Sequence, residues 1–403
     1  MKHGYRAGIA FILIIALFLR LYYVLNAEYA PLEWDQLEYT KTAIQLLENG
    51  IYAYRDTVPN TLVTPGWPIV LAAVYGLVGY EPLEPALMAV RVLQCFIALG
   101  AIWFIYRIGE RLFHPMTGLI AALFAAVHPS YVWSTSLILT EVLFLTCFTA
   151  MLYMQVRIMQ VNQLKDHILM GLLLAVCVLI RPNALPLAIV PYLFIWMKQK
   201  RIELKPALFA AGAFALVMMP WWVRNWLTFH ELIFVAKGEA GNPFLGGTDP
   251  YFQGTIDWSK INEKEQFTEG LRRIKQGLAE DPTLWIKWMT VGKFIVFFKT
   301  LWVGPYPFSV PHIYYQIIYK LHFYLVYLGW LTLAAFSFRN RSLRYLAVCL
   351  VLFLGVHILF IPVDRYIYAM LPFLMLAAAY FLTSSLTLVW NGVVISLLER
   401  KRI

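Results

Sequence analysis

Long apolar stretches recur along this chain, at roughly 7–25, 84–106, 115–134, 137–156, 167–180, 183–197, 206–224, 312–336, 345–361 and 366–389. Crossing the ~30 Å hydrocarbon core of a bilayer takes about 20 apolar residues in a helix, and most of these stretches reach or approach that length. The stretch at 167–180 is short, and Arg181-Pro182 closes it. Proline suits a first helical turn, so a new helix can start there. With 61% hydrophobic and 14% charged residues over 403 positions, the chain departs far from the ~45–50% apolar and ~25% charged of soluble domains. No soluble fold of this length could cover that surface. Lipid can, provided every backbone polar group is paired within helices. The expectation is an all-α, polytopic transmembrane helical bundle of about ten spans, possibly eleven, forming a single domain over 1–403. The 14 Trp and 24 Tyr suit interfacial belts.

The distribution of basic residues orients the bundle. With Lys2 and Arg6 in the cytoplasm, ten spans put Arg107 and Arg111, then Arg157 and Lys165, on the same side. Lys198, Lys200, Arg201 and Lys205 follow, then Arg339, Arg341 and Arg344, then Arg400, Lys401 and Arg402. This is the positive-inside pattern. An eleventh span at 284–303 would send the last two groups outside, so that segment is expected to lie at the outer interface. Its Lys287, Lys293 and Lys299 would then snorkel. The net charge of +10 is thereby a topology signal and calls for no nucleic-acid partner. The segment Lys2–Ala27 reads as an uncleaved signal anchor, because Arg20 follows its apolar run Ile9–Leu19. No globular domain is expected before or after the membrane part. Cys95, Cys147, Cys177 and Cys349 all sit in apolar runs without C-x-x-C spacing and read as small core residues.

Two long outer segments remain. The first, 26–83, is acid-rich. It holds a helical pattern over Gln36–Leu47, a break at Thr64-Pro65-Gly66-Trp67-Pro68, and an apolar stretch at 69–79 too short to span. The second, 225–311, opens with glycine-rich turns around Gly241-Asn242-Pro243 and Gly246-Gly247. It continues with an amphipathic stretch, Ser259–Ala279, before the interfacial segment.

Charges in or beside spans are costly and mark function by default. Topology puts Asp35, Glu38, Glu141, Arg181, Asp364, Arg365, Arg91 and Arg20 at or near the outer surface. Asp35 leads. It fits an N-cap with Glu38 three residues on, as in a capping box, and equally a catalytic carboxylate. Glu141, alone in an apolar helix, needs a partner: Arg91 or Arg181 as a packing pair, or a substrate hydroxyl. Arg365 and Arg181 read either as interfacial anchors or as guanidinium clamps for a lipid phosphate. Lys237, Lys293 and Arg224 are weaker candidates of the same kind. His128 and His357 lack ligand spacing and read as structural. No nucleotide-binding glycine loop, His-Glu-x-x-His or nucleophile elbow is present. An ATP-driven pump or a soluble-type hydrolase is therefore unsupported.

Four patches resemble the GT-C glycosyltransferases, in the bacterial branch that includes protein O-mannosyltransferases and the aminoarabinose transferase of lipid A. They are Asp35-Gln36-Leu37-Glu38-Tyr39 running on to Thr64-Pro65-Gly66-Trp67-Pro68; His128-Pro129 with Leu139-Thr140-Glu141; Arg181-Pro182-Asn183; and Asp364-Arg365-Tyr366 leading to Leu371-Pro372. Many members carry a second acid directly after the loop Asp. Here it is Gln36, which speaks against an acidic pair or a metal at that point. The resemblance implies a polyprenyl-phosphate carrying one sugar as donor and Asp35 as general base towards the acceptor, which is a lipid, glycan or protein. It also implies inverting transfer at the outer face of a cell membrane, with no cofactor. Arg365 and Arg181 would hold the phosphate, and Glu141, Glu38, Tyr39, Arg91 and Lys237 complete the expected substrate site. Two alternatives stay open beside a purely structural role: a ligase using a pyrophosphate-linked glycan, and a transporter or flippase of a lipid-linked glycan.

Overall fold

The structure, a computed structural model, describes residues 2–201, 204–237, 241–262, 265–304 and 312–400, and side chains for these except 2, 312–315 and 390–400. Every regular element among the described residues is helical. α1 (Lys2–Asn26) is followed by α2 (Trp34–Asn49) and α3 (Gly66–Val78), which occupy the helical pattern and the short apolar stretch read from the sequence. Gly50, at φ 66, closes α2 with a left-handed residue. The start of α3 presses on the chain near residue 179, where a Cβ on Gly66 would lie 2.6 Å from the Leu179 carbonyl oxygen. α2 and α3 share a small core built on Ala43, Trp67, Leu71 and Tyr75.

α4 (Leu83–Leu112) and α5 (Pro115–Val127) pack closely through Gly109 and Gly118. A Cβ on Gly109 would come within 2.6 Å of the Gly118 Cα, so these backbones touch as small-residue interfaces in membranes allow. α5 does not run on as the straight span expected over 115–134. It bends by 61° into α6 (Pro129–Trp133) and a 3-10 turn to Ser136. Pro129 has no N–H to offer the Ala125 carbonyl. Buried Arg20 of α1 supplies donors instead, to the Ala126 oxygen at 2.9 Å and the Ala125 oxygen at 3.2 Å. Arg20 is thus committed to the break.

α7 (Glu141–Val161) and α8 (Leu164–Ile180) follow, then a 3-10 stretch, Pro182–Ile189, that runs into α9 (Val190–Gln199). α10 (Leu204–Phe229) lies along α8. The glycine-rich region at 241–246 is the short helix α11 (Gly241–Gly246) and not a run of turns. The amphipathic pattern forms α12 (Gln266–Glu280), shorter than expected; residues 263–264 lie outside the described residues. α13 (Pro282–Lys287) and α14 (Lys293–Lys299) are joined by a π-helical turn, Trp288–Gly292. Lys287 and Lys299 are exposed, but Lys293 does not snorkel. It is buried and donates to the carbonyls of Ile358 at 2.9 Å and Phe360 at 3.1 Å. α15 (His312–Phe336), α16 (Arg341–His357), a 3-10 turn over Asp364–Ala369 and α17 (Leu371–Arg400) complete the chain.

Among the described residues six helices are long and apolar enough to cross a membrane, seven if the bent α5–α6 pair counts as one span. α8 and α16 have 17 residues each and α9 has 10, so length alone does not yield ten spans. The bundle core is aromatic where α7 meets α16 and α17: Phe148 lies 5.0 Å from Phe353 and 6.0 Å from Phe373, ring to ring. Cys95, Cys177 and Cys349 are buried in helices, as read from the sequence. The basic groups gather at one end of the bundle. There Arg107 donates to Tyr153 at 3.2 Å, Arg111 to Gln160 at 3.0 Å, Arg157 to Asp166 at 2.9 Å and Arg341 to the Phe194 carbonyl at 3.1 Å. Lys401 and Arg402 lie outside the described residues.

Candidate active site

At the other end, three distant pieces of chain meet on Asp35. It sits in the first turn of α2, but the position before the helix is Glu33, and no side chain caps it. The capping-box reading therefore fails. The carboxylate turns away from the helix: Oδ2 accepts from Arg365 Nη2 at 3.0 Å, while Oδ1 accepts from the Tyr54 hydroxyl at 3.0 Å and from Arg55 at 3.3 Å. Burial disfavours its charge, yet Arg365, Tyr54 and Arg55 together outweigh burial and hold the carboxyl below its ordinary range. Asp35 therefore rests as a carboxylate. Arg365 is half-buried, and Glu141 and Asp35 more than restore its preference for charge.

Arg365 also reaches a second acid. Its Nε lies 3.2 Å from Glu141 Oε1, at the start of α7. The same oxygen pairs closely with Arg181 Nη2, and Arg181 Nε donates to Thr140 at 2.6 Å. The result is a chain of alternating charge, Asp35–Arg365–Glu141–Arg181. A buried acid with two guanidinium partners escapes the cost of an unpaired charge. The sequence offered Glu141 two partners, Arg91 and Arg181. The structure selects Arg181 and adds Arg365.

The helix ends place these groups. α8 stops at Ile180, so Arg181 falls on its last carbonyl turn. α16 stops at His357, whose Nε2 is 2.9 Å from Asn183 Nδ2, tying the ends of α8 and α16 together. His357 also bonds the Phe353 carbonyl at 2.7 Å, which fits its structural reading. His128 pairs with His322 at 3.0 Å, a partner not foreseen from the sequence. Tyr39 backs the site, with its ring 5.3 Å from that of Tyr54. Burial and the neighbouring Asp35 charge push both phenols up, so each stays a neutral donor.

A cavity of about 1040 Å³ opens beside the ion pairs. Tyr29, Trp34, Asp35, Arg91, Trp133 and Arg365 are on its walls. Arg91 stands apart from the ion pairs, with Nε 2.9 Å from the Ser136 carbonyl and its guanidinium 3.5 Å from the Tyr29 ring centre. Two further expected site residues also lie outside the network. Glu38 pairs with Lys41 at 3.0 Å. Lys237 pairs with Glu231 on the surface, where both are mostly exposed. Arg224 ties the segment after α2 to α10, donating to the carbonyls of Tyr52 at 2.8 Å and Asn60 at 3.0 Å. Sequence reasoning missed Tyr54 and Arg55, and it named Thr140 only as part of a motif. Gln36, noted only as a departure, accepts from the Ile138 backbone N–H at 2.9 Å and so fixes α2 against the turn before α7.

A helical membrane bundle with this arrangement has the fold of the GT-C glycosyltransferases, the class the sequence resembles. Within it, residues 65–223, from α3 to α10, match the family model described as dolichyl-phosphate-mannose-protein mannosyltransferase. Among solved structures, the oligosaccharyltransferase AglB of Archaeoglobus fulgidus, in complex with an inhibitory peptide and a dolichol-phosphate, matches with a TM-score of 0.57 at 14% identity. The match covers 100% of this chain and 52% of AglB. The apo form of the A. fulgidus oligosaccharyltransferase matches with a TM-score of 0.57 at 13% identity, covering 98% of this chain and 52% of that one. This chain thus spans about half the length of AglB. ArnT from Cupriavidus metallidurans, bound to undecaprenyl phosphate, matches at a TM-score of 0.44 and 14% identity over 94% of this chain and 76% of ArnT. No curated protein matches the chain.

Proposed function

We propose that this protein is an inverting glycosyltransferase that moves a single sugar from a polyprenyl-phosphate donor to an acceptor hydroxyl or amide at the outer face of the membrane. The observation that carries the reading is the Asp35 carboxylate paired with Arg365 on the cavity wall. Asp35 takes the acceptor proton as the acceptor atom attacks the anomeric carbon and the bond from that carbon to the phosphate oxygen breaks. The lipid phosphate leaves with its electron pair. Arg365, with Arg181 and Glu141 behind it, offers a cation where that charge develops.

The membrane arrangement fits the same reading. A 17-residue helix is about 25 Å long, so α8 and α16 fall short of the ~30 Å hydrocarbon core. Counted as spans with the Pro182–Gln199 segment, they bring the total to ten, with Pro282–Lys299 at the outer interface. Their early ends let the site sink below the outer surface, towards the phosphate of a lipid whose tail stays in the bilayer. Irregular backbone at that depth is tolerated because it lines a protein cavity. Residues 1–403 work as one unit, with the segments 26–83 and 225–311 shaping acceptor choice.

The test is transfer by purified protein from a panel of labelled polyprenyl-phosphate sugars to membrane-extract acceptors. Loss of the general base should cut turnover by about 10²–10⁴-fold in Asp35→Asn. Full transfer by Asp35→Asn removes Asp35 as the base. Passage of a lipid-linked sugar across proteoliposomes with no transfer replaces the enzyme with a transporter.

A further inference from the structure

Both oxygens of Asp35 are taken in this structure: Oδ1 by Tyr54 and Arg55, Oδ2 by Arg365. A carboxylate held in this way is a weak base, because accepting a proton means giving up charge-assisted bonds. Of the three holders, Arg365 is the one that faces the cavity. Its Nε lies 3.2 Å from Glu141, and Glu141 has Arg181 as a second cation. Arg365 also lies on the cavity wall, where a phosphate would meet it. A guanidinium prefers the paired oxygens of a phosphate dianion or monoanion at least as much as one carboxylate oxygen.

We propose that Arg365 changes partners: the phosphate of the lipid-linked donor takes its Nη2 from Asp35, and Asp35 becomes an effective base only in that state. Donor binding therefore precedes deprotonation of the acceptor. The inference rests on the transferase reading above. It also gives the resting ion pair a use, since water or a stray nucleophile in an empty cavity meets a carboxylate that is already occupied.

The groups facing Asp35 set the sign. Tyr54 and Arg55 come from the segment after α2, Tyr39 from α2 itself, and Arg365 from the turn before α17, with Glu141 and Arg181 behind it. Among these, Arg365 is the one on the cavity wall. When it turns to phosphate, Asp35 loses a cation and gains an anionic neighbour. Both changes raise its proton affinity.

Carbodiimide coupling of an amine to carboxyl groups reads this directly, because the protonated carboxyl reacts. The extent of Asp35 modification, followed by peptide mass spectrometry across pH, gives a midpoint for the protein alone, with undecaprenyl phosphate and with undecaprenol. Melting temperature in the same detergent reports binding. The expected result is a midpoint shift of about one pH unit upwards, a tenfold change in proton affinity, with undecaprenyl phosphate and none with undecaprenol. Stabilisation by undecaprenyl phosphate with an unmoved midpoint overturns the partner change and leaves the transferase reading standing. An equal shift with undecaprenol also overturns it, since no phosphate is then needed. No stabilisation by undecaprenyl phosphate overturns both.

Discussion

Tyr54 shows how a side chain can matter to a site without a motif to announce it. It sits in an irregular segment, 1% exposed, and spends its hydroxyl on Asp35. A hydrogen bond to a charged carboxylate contributes about 1.5–3 kcal/mol, which is about one to two pH units at 1.36 kcal/mol per unit. The bond favours the charged carboxylate, so its loss raises the Asp35 proton affinity. Tyr54→Phe should therefore move the acid limb of the pH–rate profile to higher pH by about one to two units at saturating donor. An unmoved limb with a reduced maximum would mean that Tyr54 only packs. At this scale the sequence was legible for charge and opaque for partners. Asp35, Glu141, Arg181 and Arg365 stand out because ionisable residues beside apolar helices need a reason. Tyr54 and Arg55 are ordinary residues of a loop, and nothing local reveals that the loop folds back 19 and 20 positions onto Asp35. Lys237 shows the same limit: its charge is legible in the sequence, and its pairing with exposed Glu231 is not.

At the scale of elements, apolar runs identified nearly every long helix, but breaks were harder. The stretch 115–134 reads as one span, yet the structure bends it by 61°. The signal was present in His128-Pro129; what was missing was the donor, Arg20, that makes the break affordable from another helix. Lys293 is a second such device. Sequence places it among three lysines on an interfacial helix, but its ammonium holds the carbonyls at the end of α16. Burial pulls this lysine down to about 7 from an ordinary 10.5. Between those values the unfolded chain binds the proton and the folded chain does not, so stability rises with pH across that window. Below about 7 both states are protonated and the burial cost is constant. Melting temperature in detergent should climb from pH 7 to 9.5 in the wild type more steeply than in Lys293→Met, which has no proton to lose. Parallel slopes for the two proteins would show that Lys293 keeps its proton when folded.

For the molecule as a whole, the question is which end faces out. The two ends differ in chemistry: one holds the Asp35–Arg365–Glu141–Arg181 chain, the other Arg107, Arg111, Arg157 and Arg341 bonded to tyrosine, amide, acid and carbonyl partners. Composition made the membrane class legible, and the spacing of basic loops suggested a side. Neither fixes the span count, because a short helix such as α8 crosses only if the bilayer or the protein accommodates it. Labelling resolves both at once. Gln253 lies between α11 and α12, and Phe338 lies between α15 and α16; both are exposed. Three of the four native cysteines are buried, so an introduced thiol stands out against a low background. With ten spans and Pro282–Lys299 at the interface, Gln253→Cys should react with a membrane-impermeant maleimide in intact cells. Phe338→Cys should react only after permeabilisation. If 282–299 crossed the bilayer, Phe338→Cys would be labelled from outside. Asp35 and Arg365 would then sit on opposite sides, which their 3.0 Å contact forbids unless a further segment also crosses. Labelling of Phe338→Cys alone in intact cells would invert the molecule and turn the site towards the cytoplasm, where the donor would have to be presented from the inner leaflet.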